Sequence, residues 1–591
     1  MKAILLFPPN WNPAMPHLAL PTLSAFLRGH GVKVIQRDLN VEVFDELLTR
    51  RRVEGALAQL RRDYGPRGDR RPQRPVAAPR ELVAGALARG PHVAMHVEKA
   101  KRTMRSPAFF DGPIGRKALE TVAEALQIVS LPFFPAALEI GTYRSALPAT
   151  STANILREVR DPQFNMLREF YKRGIIADIE RQRPDVVGIS IPSMAQMIPG
   201  LTIAALIKER GLPCHVVVGG PHITMLRERI ARSPGLFQLI DSAVVFDGEV
   251  PLLRLCEALA GDGDLSQVPN LIYRDGETIR VTERKAPEKI GGLPLPDFDG
   301  LPLDRYLAPR LALPLLSARG CYYGKCAFCN VGYGEAENFS LMRSELLAEQ
   351  METLRRKYGV EEILFSDEAL TPRTLRELST ILKRDGSPLL WGGCARFEKP
   401  INAELLRLVY EGGGRMFLFG LESASEAIMQ RMKKGTQLEH MHRILRESAE
   451  AGIWNHTFFF FGFPGETIDD AQQTVNFLYE HQQHVHSAGF GTFLLELDAP
   501  AHRFPASFGV TKVIERPEED MAIYFDYEAA EGMDAKMADL VATRFLESLP
   551  AKHFPQFYIN DVYRFLYACH LSRIGRPPPP WLATETEAAA R

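Results

Sequence analysis

The sequence predicts an α/β protein with two parallel-sheet domains and a helical C-terminal region. Three observations predict this class. Strand-sized apolar runs alternate with helix-spaced segments in residues 1–50 and again in 180–275. A Pro- and Gly-rich stretch over 286–310 interrupts the rhythm, and alternation resumes through about residue 500. Beyond that the pattern turns irregular and then helical. Strands that alternate with helices pack as parallel sheets with helices on their faces.

The elements follow in order. KAILLF is a buried strand, LALPTLSAFLRGHG a helix that stops at Gly, and VKVIQRDLN a strand ending in an acid. DVVGISI, HVVVGGPH and SAVVFDGE are further strands, with helices IPGLTIAALIKERG and VPLLRLCEALAG between and after them. Residues 50–180 differ in character. They are rich in Arg, Pro and Ala up to about 110, then helical in pattern, and predict a mostly helical insertion over about 50–180, with the order of 50–110 left open. Its basic run reads as a solvated surface. These spans define a first domain at 1–285 and a linker at 286–310. A second domain at 311–505 has strands ALPLLSA, EEILFSD, LLWGGCA, RMFLFGLE and HTFFFFGF, the pattern of an open or partial barrel. Residues 506–591 form the mostly helical end, on the side of the substrate.

Composition narrows the function. The chain has 591 residues, 46% hydrophobic and 24% charged, which suits a globular protein of several domains. A formal net charge of −1 argues against general nucleic-acid affinity. Seven cysteines in this length make no disulfide framework, and no apolar run reaches the roughly 20 residues needed to span a bilayer. MKAILLFPPNW reads as a strand rather than a signal peptide, so a reducing cytoplasmic setting is expected.

Three of the seven cysteines fall in SARGCYYGKCAFCN, as Cys321, Cys326 and Cys329. Thiolates this close point to metal. A structural zinc site needs four protein ligands, and the next cysteine is Cys394. Three ligands leave a [4Fe–4S] cluster one free iron. Zinc completed by a distant residue is the alternative.

This stretch and its sequel, over roughly 311–500, resemble the radical S-adenosylmethionine superfamily. There, three cysteines after the first barrel strand hold a [4Fe–4S] cluster whose free iron chelates S-adenosylmethionine. The usual spacing is C-x3-C-x2-C; this chain has C-x4-C-x2-C, with Gly324 in the longer gap. The resemblance places Phe328 near the adenine. Ser366, Asp367 and Glu368 match the acidic stretch that receives the amino group. Arg396 suits the carboxylate. Glu422 and Ser423 match the ribose positions, and Gly462, Phe463 and Pro464 the glycine–proline turn by the adenine. A partial (β/α)6 radical SAM barrel is the fold implied.

Residues 1–50 and 180–275 resemble the Rossmann-like cobalamin-binding domain that precedes this core in one large subclass. The matching loops are Pro8, Pro9, Asn10 and Trp11; Ser190 and Ser193; Gly219, Gly220, Pro221 and His222; and Asp247, Gly248 and Glu249. The Asp-x-His-x-x-Gly motif that ligates cobalt is missing. The subclass then implies base-off cobalamin without a His ligand. His222, placed after the glycines, is no replacement by position.

The pairing implies a cobalamin-dependent C-methyltransferase. It acts on an unactivated carbon through a 5′-deoxyadenosyl radical and methylcobalamin, with a peptide or other natural product as substrate. A flavodoxin or ferredoxin would supply electrons. The resemblance assigns no catalytic side chain beyond cluster and cofactors. A non-methylating rearrangement or cyclisation enzyme is the nearest alternative, and a cobalamin sensor or chaperone with an inactive core the alternative from another class. A tRNA methylthiotransferase would carry a second trio of cysteines, whereas the first half holds only Cys214 and Cys256.

Overall fold

The computed structural model describes residues 1–64, 76–261, 263–334, 339–549 and 560–581. They form two compact units, 1–288 with 293–311 and 516–522, and 289–292 with 312–515 and 523–591.

The first unit is built on a seven-stranded sheet. Its strands are β1 (Lys2–Phe7), β2 (Lys33–Asp38), β3 (Val186–Ser190), β4 (His215–Gly219), β5 (Ser242–Val244), β6 (Leu271–Asp275) and β7 (Thr278–Val281), in the order β2-β1-β3-β4-β5-β6-β7. The first five run parallel. β3 is buried at every position, so it reads as a continuous apolar run. Helices α1 (Ala19–Gly29), α2 (Met197–Glu209) and α3 (Glu249–Ala260) make crossovers or cover the sheet. The sequence reading missed the antiparallel pair β6–β7, which extends the sheet past β5.

The insertion is helical, with long helices at Arg50–Tyr64, Arg80–Met104 and Gly112–Ser130. The sequence left the order of 50–110 open; its described residues carry two long helices, and 65–75 lie outside them. The presumed linker is strapped to the first unit rather than free. Gln36 Nε2 donates to Asp297 O at 2.7 Å and Asp299 O at 2.8 Å, and Tyr306 donates to buried Asp38 at 2.6 Å. Residues 516–522 also belong to this unit, where the Asp520 carboxylate accepts from Thr152 N at 2.7 Å and Oγ1 at 2.6 Å.

The second unit carries six parallel strands in sequence order. They are β8 (Ala312–Leu315), β9 (Glu362–Phe365), β10 (Leu390–Ala395), β11 (Gly414–Glu422), β12 (Trp454–Phe461) and β13 (Ser487–Thr492). The main helices between them are α4 (Ser344–Tyr358), α5 (Pro372–Arg384), α6 (Ala403–Glu411), α7 (Leu438–Glu450) and α8 (Ile468–Glu480). Their starts are coded locally. Thr371 and Asn402 cap α5 and α6, and Thr467 with Asp470 forms a capping box on α8. The C-terminal region was expected to be mostly helical. An antiparallel ribbon of β14 (Leu495–Glu496), β15 (Val510–Ile514) and β16 (Tyr524–Ala529) precedes its helices Ala535–Ser548 and Asp561–Arg573. Among the described residues no helix is long and apolar enough to cross a membrane.

Candidate active site

In the second unit the site residues lie at the C-terminal ends of the strands, where parallel α/β folds collect ligands. The cysteine loop follows β8 and is fixed from several sides. Ala327 N donates to Met432 O at 2.8 Å, and Ala327 O accepts from Ala501 N at 2.8 Å. Tyr322 donates to Glu398 at 3.0 Å and Tyr323 to Lys433 O at 2.6 Å. Gly324 has φ +59°, so the extra residue of the longer gap sits in a turn that glycine adopts without strain.

Cys321, Cys326 and Cys329 are free thiols, each half-buried on one loop, a donor set suited to an iron–sulfur cluster. Burial pushes the Cys326 thiol up, opposed by the charges of Lys434 and Arg396, and pushes Cys329 up to about 12. A bound metal would displace those protons.

The strand ends separate the expected S-adenosylmethionine residues into two groups. Ser366 and Glu368 are exposed. Desolvation by the surrounding protein raises the Glu368 pKa even so. Asp367 is buried, and its carboxylate accepts from Ser317 N, Ser317 Oγ and Ala318 N. It therefore fastens the β8 end to the β9 end. Arg396 is buried too. Its Nη2 donates to Lys434 O at 2.6 Å, its Nη1 lies 3.8 Å from Cys326 Sγ, and its guanidinium stacks 3.8 Å from the Tyr323 ring centre. It faces the Cys326 thiol, with its other nitrogens turned to Lys434 O and Glu398.

Glu422 ends β11 with φ +60° and pairs with Lys434 Nζ at 2.8 Å. Ser423 is buried, and its Oγ accepts from Ser425 N at 3.1 Å. Phe328 meets Phe460 edge-on at 5.2 Å. Gly462 has φ +87°, its carbonyl accepts from Tyr527 at 2.9 Å, and its N–H donates to Glu466. Phe463 is fully buried against Phe493, and Pro464 follows it in the turn.

Sequence reasoning missed Lys434, Glu398 and Glu466. The first follows β11 in RMKKGT and the last closes FPGET, so each had a signal in its distance from a strand end. Glu466 is buried, with Oε1 unpartnered, and burial pushes its pKa up from its ordinary 4.5 to about 7. Between those values the folded protein holds the proton more tightly than the unfolded chain. Its contribution to stability therefore falls as pH rises through the window. Asp38 and Asp367, pushed up to about 6, act in the same direction. Glu466→Gln is expected to flatten part of the decline in stability between pH 4.5 and 7, read by urea unfolding. An unchanged slope would remove this carboxyl from the account.

In the first unit the four expected loops follow β1, β3, β4 and β5. The parallel order 2-1-3-4-5 puts its switch point between β1 and β3, where such sheets take ligands. Gln196 Nε2 donates to Pro8 O at 2.7 Å and Ser193 Oγ lies 3.3 Å from Gln196 Oε1, which ties the first loop to the third-strand loop. Pro9 leads into buried Asn10, whose Nδ2 donates to Glu139 O at 3.0 Å and whose Oδ1 has no partner. Trp11 N donates to Asn40 Oδ1 at 3.0 Å. Ser190 is paired with Gly219 in register. A Cβ on Gly220 would stand 2.9 Å from Ile191 O at φ +112°, so the turn demands glycine. Pro221 opens a short helix, and His222 is buried with Nε2 unpartnered. Burial lowers its pKa to about 4, which keeps it neutral at pH 7. Asp247 and Gly248 precede Glu249, which is buried in the first turn of α3. The buried orphan atoms of Asn10 and His222 and the bare glycine turn fit a polar cofactor lying on these strand ends.

Residues 315–478 match the sequence profile of the Radical SAM superfamily. An uncharacterized methyltransferase, PH0819, of Pyrococcus horikoshii is 27% identical over 344 residues, covering 57% of this chain and 74% of that protein. The radical S-adenosylmethionine methyltransferase TsrM of Kitasatospora setae, solved with tryptophan and a SAM analogue, superposes with a TM-score of 0.57. Its sequence identity is 14%, with 98% of this chain and 97% of TsrM covered. The cobalamin-dependent radical enzyme OxsB, solved with aqua-cobalamin and S-adenosylmethionine, gives 0.52 at 18% identity. That match covers 67% of this chain and 63% of OxsB.

Proposed function

We propose that this chain, a radical SAM enzyme in the fold of the cobalamin-dependent radical SAM proteins, is a C-methyltransferase acting on an unactivated carbon of a peptide or other natural product. The supporting observation is the union in one chain of a three-thiol strand-end loop and a glycine-turned switch-point crevice. When bound, the [4Fe–4S] cluster, S-adenosylmethionine and cobalamin supply radical generation and methyl transfer that no side chain can. The protein's work is binding and placement.

Cys321, Cys326 and Cys329 would hold the cluster. Arg396 would support Cys326 from behind, while Ser366 and Glu368 are the groups open to a ligand at the β9 end. The carboxylate of Glu368 suits an ammonium. Glu422, Phe328 and the 462–464 turn would flank the nucleoside. In the first unit, Asn10, Ser190, Ser193, Gly219, Gly220, His222 and the 247–249 turn would take cobalamin. No Asp-x-His-x-x-Gly segment is present to ligate cobalt, which supports the base-off form. A flavodoxin or ferredoxin is the proposed electron donor, and the cytoplasm the proposed location.

The test is anaerobic. Protein reconstituted with iron, sulfide and hydroxocobalamin receives reductant and methyl-labelled S-adenosylmethionine. Mass spectrometry is expected to find both 5′-deoxyadenosine and labelled methylcobalamin. 5′-Deoxyadenosine alone would replace methylation with a radical rearrangement or cyclisation. Neither product from fully loaded protein would favour the cobalamin sensor.

A further inference from the structure

A second group of metal-binding side chains lies outside the strand-end site. It joins α7 to the end of α8 in the second unit. α8 starts beyond the C-terminal end of β12 and runs back along the sheet, so its last residue lies at the edge opposite the cysteine loop. His442 projects from the first half of α7. Glu480 is the last residue of α8, and His481 caps it.

The ring atoms of these residues converge. His442 Nδ1 faces His481 Nε2 at 2.6 Å and lies 3.6 Å from Glu480 Oε1. One ligand atom from each of the three falls within 4.8 Å of the others. Both rings are set by Phe477, whose centroid is 4.7 Å from that of His442 and 4.6 Å from that of His481. The turn is fixed as well: His481 N donates to Phe477 O, and His481 O accepts from His484 N and Val485 N.

The other nitrogen of His481 carries a further observation. Its Nδ1 lies 3.2 Å from His484 Nδ1. A ligating histidine usually gives its second ring N–H to a neighbour, which fixes the tautomer and aims the free nitrogen at the metal. His484 stands in that place, leaving His481 Nε2 as the ligand. Tetrahedral zinc with bonds near 2.0–2.1 Å holds its ligand nitrogens roughly 3.3 Å apart. The His442–His481 separation of 2.6 Å therefore has to open by about 0.7 Å, a shift that rotation of the two rings can supply.

We propose that His442, His481 and Glu480 form a peripheral divalent transition-metal site, with Zn²⁺ as its occupant. Two imidazoles and a carboxylate are donors that zinc takes readily. His481 is buried, while His442 and Glu480 reach solvent, so the ion has an entry path and a fourth position for water. Bound there, it ties α7 to the α8 terminus. The site is independent of the radical chemistry proposed above.

The test uses cluster-loaded protein, briefly chelated with EDTA, desalted and titrated with Zn²⁺ under argon by calorimetry. One zinc per chain is expected at micromolar affinity or tighter, with a rise in Tm. His442→Ala and Glu480→Gln, both at accessible positions, should each weaken zinc at least tenfold and leave the cluster absorbance unchanged. His484→Ala should weaken it by a smaller factor. No uptake by the wild type would overturn the site and leave a hydrogen-bonded histidine chain. Equal uptake by wild type and His442→Ala would overturn it too.

Discussion

Cys326→Ala is expected to lose the iron–sulfur cluster and all 5′-deoxyadenosine formation while cobalamin binding persists. The Cys326 thiol is 3.8 Å from the Arg396 guanidinium, which is itself held by Lys434 O, Glu398 and the Tyr323 ring. Two thiols remain in the variant, one short of the set that secures a cluster with a single open iron. Removing one partly buried sulfur should cost only about 1–2 kcal/mol of folding stability. Circular dichroism should therefore show a folded chain whose iron content has fallen to background. Retained cluster and turnover would show that Cys326 is not a ligand. Loss of cobalamin binding together with the cluster would mean that the fold had failed.

The alternation of strands and helices was legible because parallel strands bury both faces and so print themselves as apolar runs. KAILLF and DVVGISI are examples. The strand-end motifs were legible for a related reason, since a loop after a parallel strand is where chemistry collects. What each residue does there was less so. In Phe365-Ser366-Asp367-Glu368 the burial alternates in, out, in, out, as it does along a strand. Read at period two, Asp367 belongs with the core and its neighbours with the ligand. The β6–β7 hairpin had a signal in Gly276-Glu277, a two-residue loop with glycine first and φ +61°. The strapping of 293–311 had no local signal. It rests on Gln36, Asp38 and Pro13, more than 250 residues earlier, and sequence spacing does not carry contacts of that range. The link from Lys434 to Arg396 was hidden in the same way, because the Lys434 carbonyl meets Arg396 only when β10 and β11 lie side by side.

Lys434→Met should cost about 3–5 kcal/mol, the usual consequence of stranding one partner of a buried ion pair. Lys434 and Glu422 side chains are 6% and 12% exposed, with Nζ and Oε1 2.8 Å apart. Glu422 already occupies a left-handed backbone conformation, a strain of about 1–3 kcal/mol that surrounding contacts must hold. The β11–β12 register slips at this point, between Gly420 and Glu422. A Cβ at Gly420 would crowd both Glu422 Oε1 and Lys434 Nζ, so a side chain there would push the pair aside. Lys434 also works through its backbone, since its carbonyl accepts from Arg396 Nη2 and Arg396 reaches Cys326. One residue thus joins the acid at the end of β11 to the cluster loop. Glu422→Gln alone leaves the ammonium buried and should also destabilise. The pair Lys434→Met with Glu422→Gln removes both charges, so its cost should fall well below the sum of the single changes. Urea unfolding of the three variants measures this coupling. Additive losses would mean that the two side chains do not act as a pair, and the link from β11 to the cysteine loop would then rest on the Lys434 carbonyl alone.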